Sequence, residues 1–396
     1  MKLLCPWNLP SYVPANGFHP IYAALFDKES LPAVCFDLLK AEQLLNDPGK
    51  PGKAVRRECE KITKRFRNRH KSWALAEQFL HVINPSSQAL TSICFHGTEF
   101  HHTVPYTALE RPFIFHAESF MPTFMPFAFQ GIGCLPHADE IRNWYGKIFS
   151  SDCCLGIWSH LQVTLDQFSG FFRNPTIDGK LHLSKMGLAD ATTSILTRNR
   201  RAHDWENPTF LFSHSAHQNP NSLAARGLLT TLLFAGRWAE VRSEGRFIFR
   251  CPRISPEAAA PYGVNLPQLE EKLGDRLLWL PGHLPESVQL RLFSLADFVL
   301  IPSLNLHSAT LMQAMWSGAV PVVTDTPGTE LYVEDGVTGI VLQGVRQGVW
   351  AFDPSMRVWT DDHSKNQLVQ KKLLPQMEDW LLSSSLSAAT LENNIS

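Results

Sequence analysis

In the second half of this chain, short apolar runs alternate with helix-period segments, and that alternation leaves few folds open. Phe210-Leu211-Phe212, Arg246-Phe247-Ile248-Phe249-Arg250, Leu277-Leu278-Trp279-Leu280, Phe298-Val299-Leu300-Ile301 and Val320-Pro321-Val322-Val323-Thr324 read as strands. Residues 222–234, 286–296 and 309–315 read as helices between them. Runs that stay apolar at consecutive positions suit strands buried on both faces. Strands alternating with helices imply a parallel sheet with helices on both sides. No period of roughly 20–50 residues repeats, so a solenoid is excluded.

The first half carries a looser version of the same pattern. Strands are expected at residues 2–7, 91–95, 112–115 and 152–159. The first leads to Asn16-Gly17-Phe18-His19, a turn opening a helix, where Gly17 lets a ligand approach backbone. The next two end in His96-Gly97-Thr98-Glu99 and His116-Ala117-Glu118-Ser119. Ligands collect at the carboxyl ends of strands in parallel sheets, which marks His96, Glu99, His116 and Glu118. Ser159 can cap the helix that follows its strand. The polar stretch 190–207 reads as an interdomain linker. A chain of 396 residues exceeds one ordinary core. The expected division is therefore 1–195, 196–375 and a tail at 376–396.

Charge and cysteines exclude several classes. The formal net charge is −1, so no global basic field for nucleic acid exists. The eight cysteines form no C-x-x-C pair, which disfavours structural zinc and fits reduced thiols in a cytoplasm. Pro6 and Pro10 stop the apolar start well short of a signal-peptide core. No apolar stretch reaches the about 18 residues of a spanning helix. Residues 53–71 hold Lys53, Arg56, Arg57, Lys61, Lys64, Arg65, Arg67, Arg69 and Lys71 against Glu58 and Glu60. This reads as a basic helix: a solvated face, or a peripheral contact with an anionic membrane at its inner, cytoplasmic side. Phe66 is the one Phe, Tyr or Trp among the charges, too few to suit nucleic acid as the partner.

Three blocks then narrow the second half. They are Ala296-Asp297-Phe298-Val299-Leu300-Ile301-Pro302-Ser303, Gln313-Ala314-Met315-Trp316-Ser317-Gly318-Ala319-Val320-Pro321-Val322-Val323 and Val333-Glu334-Asp335-Gly336-Val337-Thr338-Gly339. In order and spacing they resemble the A-D-x-x-x-x-P-S, E-A-M-x-x-G-x-P-V-V and E-x-V-x-x-G-x-x-G blocks of the retaining GT-B glycosyltransferases. The resemblance implies two Rossmann-like domains facing each other across a cleft. It also implies transfer of a sugar from a UDP- or GDP-sugar to a glycan, lipid-linked or small-molecule acceptor. Residues 278–342 would form the nucleotide-sugar lobe. The helix starting at His307-Ser308-Ala309-Thr310 would meet the diphosphate with backbone N–H groups. Gly282 and His283 would lie by the base, Gln313 by the ribose, and Gly328 and Glu330 by phosphate or sugar, with Asp325 competing. His116, with Glu118 nearby, would sit beside the transferred sugar.

The departures are as informative. The family's E-x7-E carboxylates stand here as Asn305 and Gln313. An amide forfeits the charge-assisted part of a hydrogen bond, roughly half its strength. The family's G-R-x5-K pair is missing. Arg226 is the nearest stand-in for its lysine, with His214, His217 and His307 adding local positive character. No D-x-D occurs, so no cofactor or metal is expected. These changes imply either a divergent branch with altered donor contacts or a lobe that has lost catalysis. The alternatives are a non-catalytic subunit binding sugar nucleotide or glycan, and a nucleotide-sugar 2-epimerase. A hydrolase lacks its G-x-S-x-G elbow. Gly131-Ile132-Gly133 lacks the strand and third glycine of a dinucleotide fingerprint. The apolar segment from Phe120 to Phe129 suits core packing or an acceptor groove.

Overall fold

A computed structural model describes residues 3–5, 33–35, 43–83, 85–94, 97–102, 111–120, 137–214, 220–282, 284–354, 358–361 and 366–382. They form two compact units. The first holds the described residues up to Met186 together with Phe352–Asp361; the second holds Gly187–Ala351 and the C-terminal helix.

The second unit is built on β7 (Thr209–Ser213), β8 (Arg246–Arg250), β9 (Leu277–Trp279), β10 (Phe298–Leu300), β11 (Val320–Thr324) and β12 (Ile340–Leu342). Their order is β12-β11-β10-β7-β8-β9, with every pairing parallel. Counted within the unit this is the doubly wound order 3-2-1-4-5-6, whose direction reverses between β7 and β10. The consecutive apolar positions divide between two cores. Phe210, Phe212, Phe247, Phe249, Phe298, Leu300, Val320 and Val322 face one; Leu211, Ile248, Val299, Ile301 and Val323 face the other. A fully buried phenylalanine such as Phe210, 1 % exposed, contributes about 1.5–3 kcal/mol relative to exposure.

The first unit carries β1 (Leu3–Cys5), β2 (Ala33–Cys35), β3 (Thr98–His102), β4 (Phe113–His116), β5 (Cys154–Ser159) and β6 (Leu181–Leu183). The order is β2-β1-β3-β4-β5-β6, again all parallel, with its reversal between β1 and β3. Here α1 (Lys50–His70), α2 (Ala76–Ile83), α3 (Pro85–Cys94), α4 (Ala138–Ser150) and α5 (Gln162–Phe172) provide the helical layers. β13 (Trp350–Asp353) and β14 (Val358–Asp361) form a separate two-stranded ribbon.

α1 is the expected basic helix, beginning a little earlier. Val55, Phe66 and His70 form its buried seam, while Lys53, Arg57, Lys61, Lys64 and Arg69 are exposed. Arg67 is held by Glu77 through two 3.0 Å contacts. No helix among the described residues is long and apolar enough to cross a membrane.

Three expectations are corrected. The strand at 91–95 is helical through Cys94, because Pro85 opens a helix whose Ala89 and Leu90 pack against Val55 of α1. A short apolar run does not by itself separate buried helix from strand. The strand is instead β3, which begins at Thr98. The linker at 190–207 contains α6 (Asp190–Arg198), with Thr192 and Leu196 buried. The helix at 222–234 is two helices, α7 (Pro220–Ala225) and α8 (Leu228–Val241), broken at Arg226-Gly227. The longer helices that follow are α9 (Leu266–Leu273), α10 (Glu286–Leu295), α11 (Ser308–Ser317) and α12 (Asn366–Leu382). α12 continues past residue 375, burying Met377 and Leu381 in the second unit's core.

Candidate functional site

The reversal of strand order in the second unit opens a crevice between the carboxyl ends of β7 and β10, where ligands of such sheets bind. The structure brings four of the marked residues together there. His214 follows β7 and donates its backbone N–H to Arg250 O at 2.8 Å. Arg226 follows α7, and His307 is the N-cap residue of α11. Arg226 Nη1 donates to the His307 ring, 2.7 Å from Nδ1. The His214 and His307 rings meet edge to face with centroids 5.6 Å apart. Ser303 Oγ lies 3.0 Å from His307 Nε2 and accepts from Asn305 N at 3.1 Å.

Burial, then the charges of Arg226 and His214, hold the His307 imidazole well below its ordinary pKa. His307 is therefore neutral at pH 7 and offers ring nitrogens rather than a charge. Its side chain makes no capping bond. By helix geometry the N–H groups of the first turn, Ser308, Ala309 and Thr310, have no carbonyl within the helix. That end carries a partial positive charge. Ser308 and Gln313 are buried; Asn305, Ala309 and Thr310 are half-buried. Both amides thus lie on the loop and first turns that follow β10.

The Gly328 turn has a different character. Gly328 adopts φ 97°, and its N–H donates to Glu330 Oε2 at 3.1 Å. Glu330 is exposed and also paired with Arg346 at 2.7 Å. Asp325 accepts backbone N–H bonds from Gly344, Val345 and Arg346 at 3.0, 2.7 and 3.1 Å. Its carboxylate caps the turn after β12, which removes it as the competitor of Glu330. Gly282, at φ 92°, is exposed after β9. His283 and His217 lie outside the described residues, as do His96, Gly17 and the segment 121–129.

Asp297, from the first of the three blocks, is structural. Its buried carboxylate accepts from Arg201 at 2.7 Å, Thr209 N at 2.7 Å, Asp204 N at 3.1 Å and His203 at 3.3 Å. Burial alone raises a carboxyl pKa; the bonds from His203, Thr209 and Asp204 and the charge of Arg201 outweigh it, leaving Asp297 below its usual range.

In the first unit, His116 ends β4 and is half-buried. Its Nε2 lies 3.4 Å from Nδ1 of His160, the residue after β5, with the rings stacked at 5.5 Å. Glu118 follows, its carbonyl accepting from Thr164 Oγ1 at 3.3 Å. Sequence reasoning stopped at Ser159 and missed His160. The signal was the one that marked His116: a histidine just past a strand end. Ser159 does not cap α5, whose N-cap residue is Leu161; three residues before the helix, its Oγ accepts from Leu161 N at 3.1 Å instead. Glu99 sits inside β3 rather than after a strand. Its buried carboxylate is paired with Arg111 and bonded to His101 at 2.9 Å.

No protein-family model matches the chain, and no curated protein sequence matches it. Solved structures do. An α,α-trehalose-phosphate synthase (UDP-forming) from Burkholderia xenovorans, in complex with glucose-6-phosphate, aligns with TM-score 0.51 at 11 % identity over 96 % of each chain. The corresponding Burkholderia multivorans enzyme aligns with TM-score 0.47 at 10 % identity, over 91 % of this chain and 84 % of that one. Anabaena HepE, in complex with UDP and glucose, aligns with TM-score 0.45 at 13 % identity, over 98 % and 100 %. At these identities the likeness is one of fold. The chain has the GT-B fold, with two Rossmann-like parallel-sheet domains.

Proposed function

We propose that the protein is a glycosyltransferase that moves a sugar from a UDP- or GDP-sugar to a glycan, lipid-linked or small-molecule acceptor. The observation that carries the reading is the cluster of one guanidinium and two imidazoles at the strand-order reversal of the second unit. Arg226, His214 and His307 gather there at the N-terminal end of α11. A diphosphate presents oxyanions that match oriented N–H groups and a guanidinium. In the reaction, charge develops on the leaving diphosphate, and fixed donors at that point lower the barrier. The UDP-forming activity in the name of the Burkholderia xenovorans protein is consistent with this donor class. Retention and independence of metal are part of the reading and rest on the three sequence blocks and on the missing D-x-D. The domain division at about residue 195 and peripheral contact of α1 with an anionic membrane belong to it as well.

His116 is the proposed group beside the transferred sugar, and His160 orients its ring. His116→Ala is expected to lower kcat about 100-fold, the usual cost of one transition-state donor, with little change in melting temperature. Unchanged turnover would remove His116 from this role. The test of the whole reading is release of UDP or GDP from a panel of nucleotide sugars, with and without acceptors and with and without EDTA. Acceptor-dependent release that survives EDTA supports it. Asn305 and Gln313 favour a second reading, a sugar-nucleotide-binding subunit without catalysis. Nucleotide binding with no release from any donor would establish that one instead.

A further inference from the structure

Arg250 ends β8, one strand over from the cluster, and its side chain is 1 % exposed. One of its N–H groups, on Nη1, donates to the His214 carbonyl. Nε and Nη2 are buried and have no hydrogen-bond partner among the described residues. No carboxylate is paired with the guanidinium among them either. The neighbouring Cys251 thiol is buried, and that burial pushes its pKa up to about 12, so it is no counter-ion at neutral pH. Arginine stays protonated in proteins. A buried charge without a partner costs several kcal/mol, and folded proteins keep one only where something offsets it. A second cation, Arg226, reaches the same cluster through His307, whose ring meets that of His214.

We infer that Arg250 supplies the counter-charge for a phosphate or diphosphate group of a ligand at the head of α11, a role nothing in the sequence motifs assigns to β8. The inference rests on the reading of the second unit as a nucleotide-sugar lobe and adds a charge that lobe otherwise lacks. In that lobe the loop after β7 has lost the basic residue the resemblance leads one to expect. Arg250 restores a cation from the adjacent strand, where register sets Ser213 beside Arg250. Its link to His214 O couples it to the loop that begins there. A buried charge is screened little by salt, so its field acts across the crevice more strongly than that of a surface lysine. A neutral ligand gains nothing from this arrangement, whereas an oxyanion gains from both arginines and from the helix end.

The experiment is binding of inorganic pyrophosphate, UDP, GDP and ADP to the full chain, followed by thermal shift and calorimetry. Wild type is compared with Arg250→Gln, which keeps an N–H donor for the His214 carbonyl but removes the charge, and with Arg250→Lys, which keeps the charge. Loss of one charge-assisted contact predicts about tenfold weaker pyrophosphate binding for Arg250→Gln, at a ligand-free melting temperature no lower than wild type, since the unpaired buried charge is gone. Arg250→Lys should stay within about threefold of wild type, since it keeps the cation but not the fork of donors. Arg250→Gln binding pyrophosphate as tightly as wild type overturns the inference and leaves the glycosyltransferase reading standing. Equal weakening in Arg250→Lys and Arg250→Gln also overturns it, because shape and not charge then matters. If Arg250→Gln fails to fold, Arg250→Lys with pyrophosphate affinity within about threefold of wild type supports the role and a larger loss defeats it. Wild type binding none of the four ligands defeats the nucleotide-sugar reading itself. Wild type binding pyrophosphate but no nucleotide keeps the oxyanion site and removes the donor.

Discussion

Asp297→Asn is expected to destabilise the second unit by about 3–5 kcal/mol, the usual cost of breaking a buried ion pair from one side. For a domain of this size that corresponds to a fall of roughly 6–20 °C in its melting midpoint. The cause is the number of donors aimed at one carboxylate. Arg201, His203 and the backbone N–H groups of Asp204 and Thr209 all point at it. An amide presents an NH2 to at least one of these donors and leaves the others facing a weaker acceptor. The loss reaches the fold because Thr209 opens β7 and residues 201–204 lead into it. The pH dependence has a definite sign. The folded pKa lies below the unfolded value, so the stabilisation is present above about pH 3.9 and is lost as pH falls through the folded pKa. The gap between wild type and Asp297→Asn in urea unfolding should therefore be full at pH 7 and close under strong acid. A constant gap down to pH 2 would show that the interaction is not ionic.

How far the sequence carried the fold depends on burial of its strands. In the second unit, β7, β8, β10 and β11 are buried on both faces, so their apolar runs were unbroken and their positions legible. In the first unit, β3 reads Thr98-Glu99-Phe100-His101-His102. Three of its five residues carry charge or a titratable ring. That spelling hid a strand whose buried Glu99 carboxylate is paired with His101 and Arg111. The helix preceding it, at Pro85–Cys94, carries the apolar run that a strand would show. Tertiary pairing of polar groups is a property of two distant segments, and no window along one segment contains it.

The site divides along the same line. Arg226, His214 and His307 were marked one by one, from loop position and charge, and the topology brings them into contact. His160 carries the same strand-end signal as His116, but it directly follows Ser159, a residue that reads as a helix cap. Arg250 was invisible for another reason. At the end of Arg246-Phe247-Ile248-Phe249-Arg250 it reads as the polar end of a strand, a residue expected in solvent, and only the fold shows it buried at the reversal of strand order. Asp325 was legible as a carboxylate near the Gly328 turn, yet its partners at Gly344, Val345 and Arg346 come from about twenty residues later in the chain.

Gly227→Ala is expected to cost about 3–5 kcal/mol and to abolish oxyanion binding with it, from a conformational and a steric term together. Gly227 adopts φ 89°, where an L side chain is strained. An added Cβ would stand 2.3 Å from the Pro302 carbonyl oxygen and 2.6 Å from its carbon. Both are backbone atoms, so no side-chain rotation relieves the contact. The approach is this close because the turn after α7 is strapped to the loop after β10, with Leu304 N donating to Ala225 O at 2.9 Å. That strap holds Arg226 against His307 at the head of α11. Separating the two loops therefore moves the guanidinium away from the crevice as it destabilises the unit. Gly263→Ala supplies the comparison: its φ is 80°, and nothing lies within 4 Å of the added Cβ. It should lose only the conformational term, about 1–2 kcal/mol, with pyrophosphate affinity intact. Arg226→Ala should do the reverse, weakening pyrophosphate about tenfold with a small change in stability. If Gly227→Ala matched Gly263→Ala in both measurements, the close approach to Pro302 would not be what holds Arg226 at the site.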